Sequence, residues 1–436
     1  MNLLIMRVWV ALGVLSLSAN LSLAAELPER ATLSSFPDTD MELALLGRDL
    51  FYDPILSGNL NISCATCHHP RLGTSDGMSL SVGEGGTGLG PDRSIIAGQE
   101  PQARIPRNAP ALWNTGAYEY AVMFHDGRVE LSDDADFGLR MPADRPLERA
   151  LPSPLSAQAM LPPLSADEMA GQLGENPVAD AVARGDAPAA WAHLAARVNN
   201  IPAYRSRFDA MIGPDAPVHF TDIATALAEF ITFEFQAINA PLDAYLNGDT
   251  TALNAAQTRG MALFYGPAGC NTCHSGPFQT DHGFHAIAMP QIGPGKEPGD
   301  YIDRGRAYVT GDPDDLYRFR TPSLRNVTQT APYGHSGAFA TLPAIIRHHA
   351  APVGSLLRYD RTQAILTDYP FADWQALDDQ NELLDIAAGN ELPDTPLSDA
   401  EINDLVAFLS ALTDTTAAKG RLGVPKTVPS GLPVDQ

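Results

Sequence analysis

Cysteine is scarce in this chain, with four among 436 residues, too few for a disulfide scaffold. Positive charge is short as well. Lys and Arg total 28 against 52 Asp and Glu, a formal net charge of −24, which argues against nucleic acid or an anionic membrane surface as partner. Beyond the first two dozen residues no apolar run is long enough to span a bilayer. What is present indicates a folded protein: 44% hydrophobic and 18% charged residues exclude a disordered chain, and the length suits two or three domains. With 36 Gly and 36 Pro, much of the chain is expected to run as loops.

The N-terminus has a pattern of its own. Met1 to Arg7 holds one positive charge, Val8 to Leu23 is largely apolar, and Ser22-Leu23-Ala24 resembles a cleavage site. Ser16, Ser18 and Asn20 interrupt the apolar run, so residues 1–24 read as an export signal rather than a membrane anchor. Export predicts an oxidising compartment and a mature chain without a membrane span.

All four cysteines fall in two copies of one pattern, Cys64-Ala65-Thr66-Cys67-His68 and Cys270-Asn271-Thr272-Cys273-His274. Cys-x-x-Cys-His is the attachment pattern of c-type haem. Two thiols add across the haem vinyl groups, and the adjacent His lies under the iron as proximal ligand. A zinc site would want its two pairs some tens of residues apart. A thioredoxin-like pair has no use for the His, and two plain disulfides would not both end in one. Two covalently bound c-type haems are expected, one on Cys64, Cys67 and His68 and one on Cys270, Cys273 and His274.

The surroundings of the motifs repeat too. Leu50-Phe51-Tyr52 precedes the first and Leu263-Phe264-Tyr265 the second. Each triplet ends a stretch of helical period, Met41, Leu45 and Leu46 in one and Leu253, Ala256, Met261 and Leu263 in the other. Further helices are predicted over 221–235 and from Ser398, where Glu401 completes a capping box before Ile402, Leu405, Val406 and Leu409. Residues 176–212 read as Ala-rich helical packing around Trp191, Leu194 and Val198. Residues 75–110, 131–165 and 281–325 lack period, as long functional loops do. The expected fold is mainly α: two tandem cytochrome c-like helical domains, each around one covalently bound haem, with long loops. The expected divisions are 1–24 signal, 25–220 N-terminal domain, 221–414 C-terminal domain and 415–436 tail.

At this point the chain resembles the bacterial diheme cytochrome c peroxidase family, including its MauG-type branch that oxidises other proteins. The matching residues are Val82-Gly83, Arg107-Asn108-Ala109-Pro110, Phe124-His125-Asp126-Gly127-Arg128, Gln158 with Glu168, Arg320 to Val327, Thr330 to Gly337, and both haem motifs. The resemblance implies peroxide reduction at the N-terminal haem and an electron-transfer role for the C-terminal one. It also implies a calcium ion between the domains and a periplasmic location. By position, His68 and His274 are the proximal ligands, and Glu168 is the distal acid–base carboxylate with Gln158 in its pocket. Asn108, Thr330 and Pro332 fall on the calcium positions. Taken bare, Glu168 reads as a helix-start charge and Asn108 as a loop residue.

Three departures from the family pattern matter. No histidine occurs between His69 and His125, and Glu84 stands where many members carry a removable distal His, so the first haem is expected to be open when oxidised. His125 replaces the family's Trp between the haems, which leaves the route between them in doubt. His349 falls where the second haem's sixth ligand is Met or Tyr elsewhere, with His348, Met289, His282 and His285 as rivals. The expected activity is a periplasmic peroxidase fed by a small cytochrome c or cupredoxin. The alternatives are a MauG-type enzyme that turns peroxide's oxidising equivalents on a protein side chain, and a diheme electron carrier.

Overall fold

Two crossed helix pairs organise the chain in the computed structural model, which describes residues 27–142, 147–297 and 299–435. The expected export signal, residues 1–24, lies outside them. Met41–Tyr52 crosses Phe220–Glu234, and Ala255–Phe264 crosses Asp399–Ser410. Each crossing is made at a glycine. A Cβ on Gly47 would lie 1.8 Å from the Ala226 carbonyl oxygen, and one on Gly260 would lie 1.9 Å from that of Asp404. Only a residue without Cβ lets backbones approach so closely. Three residues on, each helix delivers its Leu-Phe-Tyr triplet. Phe51 packs on Phe230 with ring centroids 5.1 Å apart, and Phe264 on Phe408 at 5.0 Å.

The duplication runs on into the loops. Asn114 and Asn326 both take left-handed backbone, φ 61° and 58°, a conformation Asn tolerates better than most residues. Asn114 N donates to Phe235 O at 2.9 Å while its Oδ1 accepts from Ala237 N at 2.8 Å. Asn326 N donates to Leu412 O at 3.1 Å while its Oδ1 accepts from Asp414 N at 2.7 Å. Each Asn thereby ties the loop after its haem motif to the end of the closing helix. The segments read Pro110-Ala111-Leu112-Trp113-Asn114 and Pro322-Ser323-Leu324-Arg325-Asn326.

The 176–212 region forms the helices Pro177–Ala183, Ala187–Asn199 and Pro202–Ile212, which bury Trp191, Leu194 and Val198 in the first core. Strands are confined to short antiparallel pairings, such as Phe284–His285 with Phe319–Arg320. The chain is mainly α, with long loops.

The expected division after residue 220 cuts across the packing. The Phe220–Glu234 helix shares one core with Leu46, Leu50 and Phe51, so we place the end of the first unit near Ile238. A helix that closes one unit has the same periodicity as one that opens the next, and only packing tells them apart. The expected tail also joins the first unit. Ala417 and Val428 enter its core. The amides of Arg421, Leu422 and Gly423 donate to the Glu234 carboxylate at 3.0, 2.7 and 3.0 Å. Thr66 Oγ1, inside the first motif, donates to Asp435 at 2.6 Å. Across the junction between units run the buried ion pairs Arg104–Asp373 at 2.8 Å and Arg107–Asp303 at 2.7 Å.

Candidate functional site

The first motif lies on a one-turn helix, Cys64–Cys67. His68 Nδ1 is 3.0 Å from Thr74 O, which fixes the ring and leaves Nε2 as the ligand nitrogen. Cys64, Cys67 and His68 line a cavity with about 1200 Å³ of empty space, its open mouth included. Burial pushes both thiols up to about 12. A large cavity walled by Phe51, Ile62, Leu112 and Leu155, with two thiols and a free imidazole nitrogen, fits a covalently attached haem.

Gln158 and Glu168 line the same cavity. Gln158 belongs to the Pro154–Ala159 helix, capped by Ser153, and its buried Oε1 has no hydrogen-bond partner among the described residues. Glu168 sits in a π-helical turn, Ala166–Ala170, a distortion that often marks functional positions. The Val82–Glu84 loop braces that turn. Glu84 N donates to Asp167 O at 3.0 Å, and a Cβ on Gly83 would lie 2.2 Å from Asp167 O. Burial raises the pKa of Glu168, the charges of Lys296 and Arg128 pull it down, and Asp167 pushes it up. Glu84 itself turns away, accepting from Asn59 at 3.1 Å and Asn61 at 2.9 Å. Its carboxylate is not among the groups that line the cavity.

The second motif forms a 3-10 turn, Cys270–Thr272, and His274 Nδ1 lies 3.2 Å from Gln279 O. His349 comes from the Leu342–Ala350 helix, its Nδ1 2.9 Å from Ile345 O. The ring centroids of His274 and His349 are 6.5 Å apart. Two imidazoles that share one metal place their rings about 6 Å apart, given metal–nitrogen bonds of about 2 Å. The spacing therefore fits a haem iron held between them. The rivals are engaged elsewhere. His348 Nε2 lies 2.8 Å from Ile287 O, and burial pushes that imidazole down to about 3. His282 pairs with Glu119 at 3.1 Å and His285 with Asp281 at 2.9 Å, while Met289 packs in an apolar cluster with Leu80 and Phe339.

Between the motifs, His125 Nε2 lies 3.0 Å from Asn108 O, and burial followed by the Arg107 charge pushes it down to about 4. Arg107 bridges Asp126 at 2.6 Å and Asp303 at 2.7 Å. Phe319 stacks on His335 with centroids 3.6 Å apart. Asn108 reaches this junction through its N–H to His335 O at 2.7 Å, three residues beyond Pro332. Its Nδ2 donates to Met78 O at 2.6 Å, and Thr330 Oγ1 donates to Val327 O at 3.1 Å. Among the described residues the one group of three His, Cys, Asp or Glu side chains close enough to share an ion is Cys273, Asp281 and His285, and its cysteine belongs to the haem motif. Sequence reasoning missed Arg128 and Lys296 as cavity residues. It also missed the Pro-x-Leu-x-Asn repeat, which was there to be read as a second internal match.

A family model described as di-haem cytochrome c peroxidase matches residues 41–251. The methylamine utilization protein MauG of Methylorubrum extorquens is 31% identical over 310 residues, covering 71% of this chain and 68% of that protein. The cytochrome-c peroxidase IdrP1 of a Pseudomonas species is 28% identical, covering 76% and 77%. Among solved structures, a MauG-like protein associated with microbial copper homeostasis aligns with a TM-score of 0.57 at 26% identity, over 91% of this chain and 95% of that one. The diheme peroxidase BthA of Burkholderia thailandensis shares the fold, with a TM-score of 0.58 at 20% identity over 94% and 95%.

Proposed function

This chain belongs to the di-haem cytochrome c peroxidase family, and from that premise we propose a periplasmic enzyme that reduces hydrogen peroxide at the haem of Cys64, Cys67 and His68. Electrons arrive through the haem of Cys270, Cys273 and His274 from a small cytochrome c or cupredoxin. The observation that carries the reading is an asymmetry. The first motif shares its cavity with a carboxylate and an unpartnered amide, Glu168 and Gln158, while the second motif's His274 faces another imidazole. One site is built to admit a small molecule and the other to be saturated, which argues against a plain carrier.

When bound, the first haem supplies the metal position for peroxide and passes it electrons. The chain supplies the proton handling. Glu168 accepts a proton from one peroxide oxygen and returns it to the other, which leaves as water. Two electrons and two protons in all convert one peroxide to two waters. Gln158 offers its amide to orient the oxygens. Asn108, Thr330 and Pro332 are proposed to hold a calcium ion with amide and backbone oxygens, donors suited to that hard cation.

The bis-imidazole second site favours a second reading. Without a thioether ligand that haem has a comparatively low potential, which suits holding oxidising equivalents for a protein substrate, as in a MauG-type enzyme. Peroxide-dependent oxidation of a reduced cytochrome c or cupredoxin tests the first reading. A protein that consumes peroxide in its oxidised form yet oxidises no small donor belongs to the second.

A further inference from the structure

One residue lining the first unit's cavity is supplied by the second. Lys296 stands there with Glu168, Gln158 and Arg128. Its loop is braced on both sides. Gln291 exchanges hydrogen bonds with the Asp303 backbone at 2.7 and 2.9 Å, Gly293 N donates to Asp373 O at 2.7 Å, and Gly295 N donates to Asp300 O at 2.8 Å. A Cβ on Gly295 would lie 2.3 Å from Ile302 O, so the turn that presents Lys296 is tightly packed.

The other cations of the cavity are committed. Arg107 bridges Asp126 and Asp303, and Arg128 pairs with Asp126 at 3.1 Å while lying over the Phe124 ring. Lys296 has no carboxylate at salt-bridge distance among the described residues. Glu168 is the foremost negative charge acting on it, and Lys296 is the foremost charge acting on Glu168. The remaining charges on Glu168 are Arg128 and, on its own turn, Asp167. Burial and then the Arg128 charge lower the pKa of Lys296, Glu168 raises it, and Arg107 and Asp126 act on it from the junction, while burial and the Arg107 charge push the cavity's His125 down to about 4.

We propose that Lys296 is a positioning residue for the peroxide reaction, supplied by the second unit, whose ammonium keeps the Glu168 carboxylate in its proton-accepting form. A carboxylate in such a cavity otherwise favours its neutral state, and a nearby cation restores the charged one. This assignment rests on the reading of Glu168 as proton acceptor. It makes the first unit's chemistry depend on the second unit being docked.

The test uses the full-length protein with both haems and cyanide as probe, since entering hydrogen cyanide must yield its proton to a base. Cyanide association with the oxidised first haem is followed across pH by stopped flow, in wild type, Lys296→Met, Lys296→Arg and Glu168→Gln. Lys296→Met should move the acid-side midpoint of the rate upward by about one pH unit, a roughly tenfold loss of rate below it, and Lys296→Arg should restore the profile. Glu168→Gln should abolish the pH dependence. An unmoved midpoint in Lys296→Met, with the Glu168→Gln effect intact, overturns the assignment. A downward shift of the first haem's potential with that unmoved midpoint would place Lys296 on the haem's own carboxylates, which overturns it too. A profile untouched by Glu168→Gln removes Glu168 as base, and Lys296 with it.

Discussion

Replacing either crossing glycine by alanine tests how the fold positions the haem sites. In a helix interior, Gly→Ala alone should stabilise by about 1 kcal/mol. Here the new Cβ would stand 1.8 Å from Ala226 O at Gly47, or 1.9 Å from Asp404 O at Gly260. Ordinary close carbon–oxygen contacts are about 3.3 Å or longer, so the helices must part by more than an ångström. Overpacking of this kind costs about 1–3 kcal/mol, and a backbone obstacle puts these sites at the top of that range. The net loss is about 2 kcal/mol. For units of roughly 200 residues, that lowers Tm by about 4–8 °C. Because Phe51 lines the first cavity, Gly47→Ala should also disturb the first haem's absorption before global unfolding, and Gly260→Ala the second's. Thermal scans followed in the Soret region and by far-ultraviolet circular dichroism check both. An alanine variant as stable as wild type, or more so, would refute the close-crossing argument.

Other consequences follow from the site geometry. Glu168→Gln should keep both haems but slow the reaction of oxidised protein with peroxide by about 10²–10⁴-fold, measured by stopped flow. Because burial raises the pKa of Glu168, the wild-type rate should fall as pH drops through a midpoint above that of free glutamate, and the variant should show no such fall. His349→Ala should leave the second haem attached through its thioethers but convert it from low to high spin, read by electron paramagnetic resonance; a low-spin second haem in the variant assigns the ligand elsewhere. Chelation should perturb both haem spectra if calcium joins Asn108 to Thr330 and Pro332, and metal analysis finding no calcium in the purified protein removes that site.

What could be read from the sequence was local chemistry. Cys-x-x-Cys-His carries its function in five consecutive residues, and the helix periods at Met41–Tyr52 and Asp399–Ser410 need only one apolar face. His349 was singled out by counting, and the helix explains why His348 is not equivalent to it: neighbours on a helix point about 100° apart, and His348 turns to Ile287 O. Properties set by tertiary packing were out of reach. The unit boundary depends on which helix the Phe220–Glu234 face meets. Glu84 occupies its expected loop position, but Asn59 and Asn61 turn its carboxylate aside. Lys296 is an ordinary loop lysine until the second unit folds against the first. The Pro-x-Leu-x-Asn repeat was visible but easily passed over, because Trp113 in one copy stands opposite Arg325 in the other and hides the match.

The central claim is that two haem modules built on the same helix crossing are made unequal, one open beside Glu168 and one closed by His349. Electron paramagnetic resonance of the fully oxidised protein, before and after one equivalent of peroxide, tests it most directly. The account predicts one high-spin signal and one low-spin bis-imidazole signal of equal weight, with the high-spin signal lost on peroxide addition without prior reduction. Two low-spin signals that persist through the addition would contradict it.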